Sequence, residues 1–167
     1  KEKLRFPLFE GHPYTDIAAD SFDQLNLRGG SHDSLFYLGA SASPQPPSNG
    51  QYLRNRWIND MQFVMGHESL RGRWVHVYIN GNYWGHYQIL ERPTQDYFAS
   101  YLGGNKSDYV AVNKGQGLGS SDMSAWTAMR SATNDYDEFQ RRVDIVNYVD
   151  YMLLNYYSGN DWDWNPE

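Results

Sequence analysis

The chain has 167 residues, the length of a single domain, and that is enough to enclose a core without a disulfide or structural metal. Its 14 basic side chains face 20 acidic ones, for a net charge of −6 with no basic run, which argues against duplex nucleic acid as a partner. Cysteine is absent, so thiol catalysis, Cys-ligated zinc and disulfides are excluded.

The opening segment alternates Leu4, Phe6 and Leu8 with polar residues or proline and reads as a strand end held by aromatics. A second strand is expected over Phe22–Arg28, broken by Gly29-Gly30. Gly39–Gly50, with three prolines, reads as a long surface loop. Between Gln51 and Met65 the period becomes helical: Leu53, Trp57, Met61 and Val64 form one apolar stripe, and Gly66 supplies the stop. Two β-rich runs flank Asn80-Gly81, the residue pair favoured in tight two-stranded hairpins. Gly85 within the second run predicts a bulge or a close backbone approach.

Thr94 is placed to cap a short helix through Leu102, and Asp108–Val112 reads as a short strand. Lys114–Ser121 is a glycine-rich loop. Ser121 or Asp122 can cap a helix carrying Met123, Trp126 and Met129. Asp135 with Glu138 resembles a capping box. The last helix starts at Asp144, with Ile145, Val149, Met152, Leu153 and Tyr156 on its expected core face, and ends at Ser158-Gly159. Strands dominate the first half and helices the second, the order of an α+β fold. No apolar stretch approaches the ~18–20 residues of a membrane span, and no signal-peptide pattern is visible. The first residue is Lys and the closing residues read as an interrupted loop, so an internal piece of a longer chain is expected.

Five constellations could carry chemistry. Asn160-Asp161-Trp162-Asp163-Trp164-Asn165 follows the last helix and offers hard oxygen ligands for Mg²⁺ or Ca²⁺, or a base for a hydroxyl; the same residues also serve as ordinary turn formers. The glycine loop after Lys114 lacks the Gly-Lys-Ser/Thr order of a Walker loop. Arg28, His32 and Asp33 could contact a phosphate or carboxylate, or Arg28 and Asp33 could pair to tie a turn. His76 and His86 fall on facing hairpin strands without a third ligand, which disfavours zinc. The 14 Tyr, 6 Trp and 7 Phe would suit a sugar-stacking surface, but most sit at core-facing periods, so packing is their expected use.

In order, FDQLNLRGGSHDS, YLRNRWINDMQ, HVYINGNYWGHYQILER and VDYMLLNYYSGNDWDWN resemble the CotH family, the spore-coat protein H-like atypical protein kinases. The resemblance implies an atypical protein-kinase-like α+β fold: a β-rich small lobe with a helix, about residues 1–93, then a mainly helical large lobe beginning at 94–167, truncated at both ends. It implies ATP and Mg²⁺ as cofactors and Ser or Thr of a coat or surface protein as acceptor. It also implies a spore-coat, secreted or cell-surface location. Asp161 would orient the substrate hydroxyl, Asn165 would bind metal with Asp163 as its rival, and adenine would pack near Tyr87 and Glu91. Lys114 would be a substitute phosphate contact, with Arg28 and Asp33 as structural or phosphate candidates. The Asp161–Asn165 spacing is four, where ordinary kinases use five. Relatives place a nucleotide-contacting Lys upstream of this segment and a second metal-binding Asp downstream, so the fragment alone is expected to be inactive. A catalytically silent carbohydrate- or surface-binding domain is the competing expectation. A glycosidase using Asp161 and Asp163 is disfavoured, because two residues so close in one loop rarely straddle a sugar.

Overall fold

The structure, a computed structural model, describes residues 2–30, 51–113, 115–118 and 122–160. Its chain divides into two units: the N-terminal part through Phe63 together with Glu68–Arg92, and Val64–His67 together with the residues from Pro93 onward. The Gly39–Gly50 loop lies outside the described residues.

In the first unit, strands β1 (Leu4–Arg5) and β2 (Ser21–Phe22) form a short antiparallel pair. A three-stranded antiparallel sheet follows in the order β3 (Leu25–Arg28), β5 (Asn82–Glu91), β4 (Gly72–Ile79). The β4–β5 hairpin turns at Asn80 and Gly81, both with positive φ (50° and 81°), the backbone that suits the right-handed twist of its strands. Val77 pairs with Gly85 but Tyr78 with Tyr83, so Trp84 is the extra residue of a β-bulge. Gly85 holds φ +150°, and a Cβ there would lie 3.1 Å from the Tyr87 ring; both expectations for this glycine are met. The expected Phe22–Arg28 strand is interrupted at Asp23-Gln24, and its two pieces join different sheets.

Helix α1 (Arg54–Val64) lies where the period predicts, but its apolar stripe is not its buried face. Leu53, Trp57 and Val64 are exposed, while Arg56 and Phe63 are buried. A polar network displaces the stripe. Arg56 donates to Asp60 (2.8 Å) and to the Leu70 carbonyl (2.7 Å), and Asn59 Oδ1 accepts from Ser69 Oγ (2.9 Å) and Leu70 N–H (3.3 Å). Gly72 is required beneath this network, since a Cβ there would overlap the Arg56 guanidinium. Arg71 is fully enclosed: it donates to the Ile17 carbonyl (2.5 Å) and Glu68 (2.5 Å), with its guanidinium 5.1 Å from the Phe63 ring centre. The apolar core beside it is Phe9, Phe22, Phe63 and Leu90, with Phe9 edge-on to Phe22. Leu4 and Phe6, expected to anchor the first strand, are exposed; Phe9 takes that place.

The second unit contains α2 (Gln95–Leu102), a 3₁₀ turn (Lys106–Asp108), β6 (Val112–Asn113) paired with β7 (Gln116–Gly117), α3 (Ser124–Ser131), α4 (Tyr136–Gln140) and α5 (Ile145–Tyr157). Thr94 stands at the N-cap of α2 without a side-chain capping bond. The strand expected over Asp108–Val112 is displaced to Val112–Asn113, because Asn105 and Asp108 close a capping box around the 3₁₀ turn. Part of the expected glycine-rich loop is the β7 strand of the small hairpin. Asp122 accepts from Ser124 N–H (2.9 Å), and Asp135 caps α4 through Glu138 N–H (3.1 Å). Glu138 does not return the bond, since Arg141 and Arg142 occupy its carboxylate. Asp144 caps α5 through Asn147 N–H (3.1 Å).

On α5 the expected face is again corrected. Val149, Leu153 and Tyr156 are exposed, and Leu154 and Asn155 are the buried residues. Apolar residues surround most of this helix, so its sequence leaves the facing direction open. The aromatics divide: Phe9, Phe22, Phe63 and Tyr97 are buried, while Tyr78, Tyr83, Trp84, Tyr136, Tyr156 and Tyr157 are each more than half exposed.

Candidate functional site

Three of the anticipated site residues lie on the sheet of the first unit. Tyr87 and Glu91 alternate with Gln88 and Leu90 along β5, so they share one sheet face, with Leu25, Leu27 and Val75 opposite them in register. The Tyr87 ring lies between two glycines. A Cβ on Gly29 or on Gly85 would approach it to 3.1 Å, so the missing side chains form the slot that holds the ring. Glu91 is buried at the end of β5, opposite Leu25, and its N–H donates to the Arg71 carbonyl (3.4 Å). The exit from β5 is fixed by Arg92, whose N–H and guanidinium donate to the Gln24 carbonyl and side chain (3.4 and 3.1 Å). Arg28 pairs with Gln88 and therefore occupies the opposite face from Tyr87 and Glu91; the sheet separates them.

Two further attachments hold α5. The His67 ring donates from Nε2 to the Asp150 carboxylate (2.7 Å), both groups mostly enclosed. Near the C-terminal end Asn155, 2 % exposed, directs a second knot. Its Nδ2 donates to the Tyr151 carbonyl (2.8 Å), its Oδ1 accepts from Asn160 Nδ2 (2.7 Å), and its carbonyl accepts from Ser158 Oγ (3.0 Å) and Asn160 N–H (3.1 Å). Gly159, at φ +62°, makes the reversal between them. The side chain and backbone of Asn160 are thus both fixed, and Asn160 is the residue immediately before Asp161. Asp161, Asp163, Asn165, Lys114 and Asp33 themselves lie outside the described residues.

Reading the sequence alone misses Asn155 and the His67–Asp150 pair. A signal for the first exists: an amide within the otherwise apolar run MLLNYY is costly to bury without partners. The His76–His86 approach is as expected, the two being direct cross-strand partners with ring centres 5.2 Å apart. No cluster of three or more metal-ligating His, Asp or Glu side chains occurs among the described residues. His12 is enclosed beside Asp60, and its pKa is lowered, chiefly by burial and then by the nearby Arg56 charge. The Tyr14 N–H donates to its Nδ1 (3.4 Å), consistent with a neutral ring.

These features define a mixed α+β protein in which small antiparallel sheets precede a helical segment ending at a fixed polar turn. The chain belongs to the CotH kinase family: the family model described as CotH kinase protein matches residues 45–165, well over half of its length. No curated protein and no solved structure matches it.

Proposed function

We propose that the complete domain transfers the γ-phosphoryl group of ATP, with Mg²⁺, to Ser or Thr hydroxyls of a protein substrate. Membership of the CotH kinase family supports the kinase class. The observation that carries the finer reading is the Asn155–Asn160 knot, which fixes the chain at the residue before Asp161. Phosphoryl transfer needs a positioned acceptor and neutralised charge more than covalent chemistry from the protein, and a rigid helix end serves the first need.

In this reading Asp161 accepts a hydrogen bond from the acceptor hydroxyl and orients it. Asn165 and Asp163 are hard oxygen donors, a set whose chemistry fits Mg²⁺. Bound Mg²⁺ would supply neutralisation of phosphate charge. Adenine would pack near Tyr87 and Glu91, where the Gly29–Gly85 slot stiffens the ring. Lys114 would contact phosphate; of the structural or phosphate candidates Arg28 and Asp33, Arg28 is kept to a structural role in this reading, because the sheet separates it from Tyr87 and Glu91. The division of contacts at Arg92/Pro93 supports a small-lobe-like part over about 1–93 and a large-lobe-like part from 94. A spore-coat, secreted or cell-surface location belongs to the same proposal.

The test is incubation of the full-length parent with labelled ATP, Mg²⁺ and a Ser-rich acceptor. Metal-dependent incorporation is expected, and its loss in Asp161→Ala. Equal incorporation by wild type and variant removes Asp161 from its role. The competing reading, a catalytically inactive carbohydrate- or surface-binding domain, is favoured by the exposed aromatics Tyr78, Tyr83 and Trp84 on the hairpin. Calorimetric titration separates the two: heat with polysaccharide and none with ATP–Mg²⁺ supports the second.

A further inference from the structure

Gln88 is only 4 % exposed, yet its Nε2 has no hydrogen-bond partner. A buried donor left unanswered costs more than an average hydrogen bond gains, so such a group calls for an explanation. Asn55 Oδ1 on α1 is likewise buried and unpartnered; as an acceptor it could answer such a donor, but the two groups are not hydrogen-bonded to one another. The cross-strand register supplies the context. Gln88 stands directly opposite Arg28 on β3 and opposite Trp74 on β4, which places all three side chains in one row on one face of the sheet.

Arg28 is exposed, and its guanidinium has no ion pair or hydrogen bond among the described residues. The other residues of this face on the three strands are Asn26, Gly72, His76, Tyr78, Tyr83, His86 and Leu90. The strands therefore place no carboxylate on it, although the chain as a whole has a net charge of −6. Trp74 is walled in from the far side by rings, with Tyr52 at 5.1 Å and His86 stacked at 5.0 Å. A permanently cationic fork and a buried amide N–H₂ thus sit side by side, both lacking an oxygen to bind.

We propose that Arg28 and Gln88 form an oxyanion-binding site that takes the phosphoryl or carboxylate group of a small ligand, with Trp74 as its apolar wall. Gln88 becomes satisfied only when the ligand is bound, and Arg28 supplies the charge that selects an anion. The site does not require that the chain be a kinase.

The test is calorimetric titration of the wild-type chain, Arg28→Met and Gln88→Leu with inorganic phosphate and, separately, with acetate. Wild type is expected to bind at least one of them, and each variant to bind it at least about tenfold more weakly. Ligand-free Gln88→Leu is expected to melt no lower than wild type, since the substitution removes the orphan donor and keeps the volume. Binding of phosphate alone identifies a phosphoryl ligand, and binding of acetate alone a carboxylate. Absence of heat with both anions, or wild-type affinity in either variant, overturns the proposal.

Discussion

Replacing Asn155 with Leu tests whether the end of α5 is held by the amide knot or by packing alone. The substitution keeps a similar volume and removes the carboxamide that bonds Asn160 (2.7 Å) and the Tyr151 carbonyl (2.8 Å). The Tyr151 carbonyl retains its helical partner, so that loss is small. The half-buried Asn160 side-chain amide loses its Oδ1 acceptor, while the backbone bond from Asn160 N–H to the residue 155 carbonyl can persist. At about 1 kcal/mol for each neutral bond, and with the added apolar burial of Leu offsetting part, the net cost should be about 1–2 kcal/mol. For a chain of this size that is a fall of about 2–6 °C in Tm. A double-mutant cycle with Asn160→Ala, read by urea denaturation, should give a coupling of about 0.5–1.5 kcal/mol. Hydrogen exchange at Asn160 N–H should accelerate in the single variant. A coupling below about 0.3 kcal/mol, with unchanged exchange, would refute the knot as an anchor. On the proposed kinase reading, phosphoryl transfer by the full-length Asn155→Leu protein should fall further than its folded fraction, because Asp161 is the next residue beyond the anchor.

Three further outcomes are expected. Gly85→Ala should lose about 1–3 kcal/mol, since φ +150° is a glycine conformation and the new Cβ meets Tyr87, whereas Gly29→Ala should lose less because only the ring must shift; equal losses in thermal melts would contradict the backbone argument. His12 has a folded pKa below its ordinary 6.5, so the unfolded chain binds the proton first, and stability should decline as pH falls below about 6.5 and level off beneath the folded pKa; His12→Gln should flatten that part of a stability–pH curve, and an unchanged slope would count against it. Gly72→Ala should lose about 2 kcal/mol or more, because its Cβ would press on the buried Arg56 guanidinium and lies 3.2 Å from the Ile89 carbonyl; denaturation indistinguishable from wild type would show that the network yields freely.

What the sequence makes legible here is what short-range chemistry decides. Asn80-Gly81 needs only its own backbone to turn, and the caps at Asp135 and Asp144 need only an N–H three residues on. Once the turn is placed, the His76–His86 pairing follows by counting outward, with the Gly85 bulge absorbing one residue. The facing direction of helices is another matter. On α1 the apolar stripe lost to Arg56 and Asn59, whose partners at Leu70 and Ser69 come from a segment whose approach no periodicity reveals. On α5 there was too little polar contrast to choose a face. The slot around Tyr87 depends on Gly29, just past β3, and Gly85 of β5 meeting at one ring, so neither glycine alone announces it.

Arg71 has a practical corollary for anyone shortening this gene. The family match begins at residue 45, yet one of the oxygens that answer the sealed guanidinium comes from Ile17, and Phe9, His12, Phe22 and the β3 strand all precede that start. A product trimmed to the matched span would leave the Arg71–Glu68 pair in a half-emptied interior, without the Ile17 carbonyl, and bare the edge of β5. Solubility of such truncations is therefore a poor guide to the parent, and the leading forty-odd residues should be retained whenever the protein is produced.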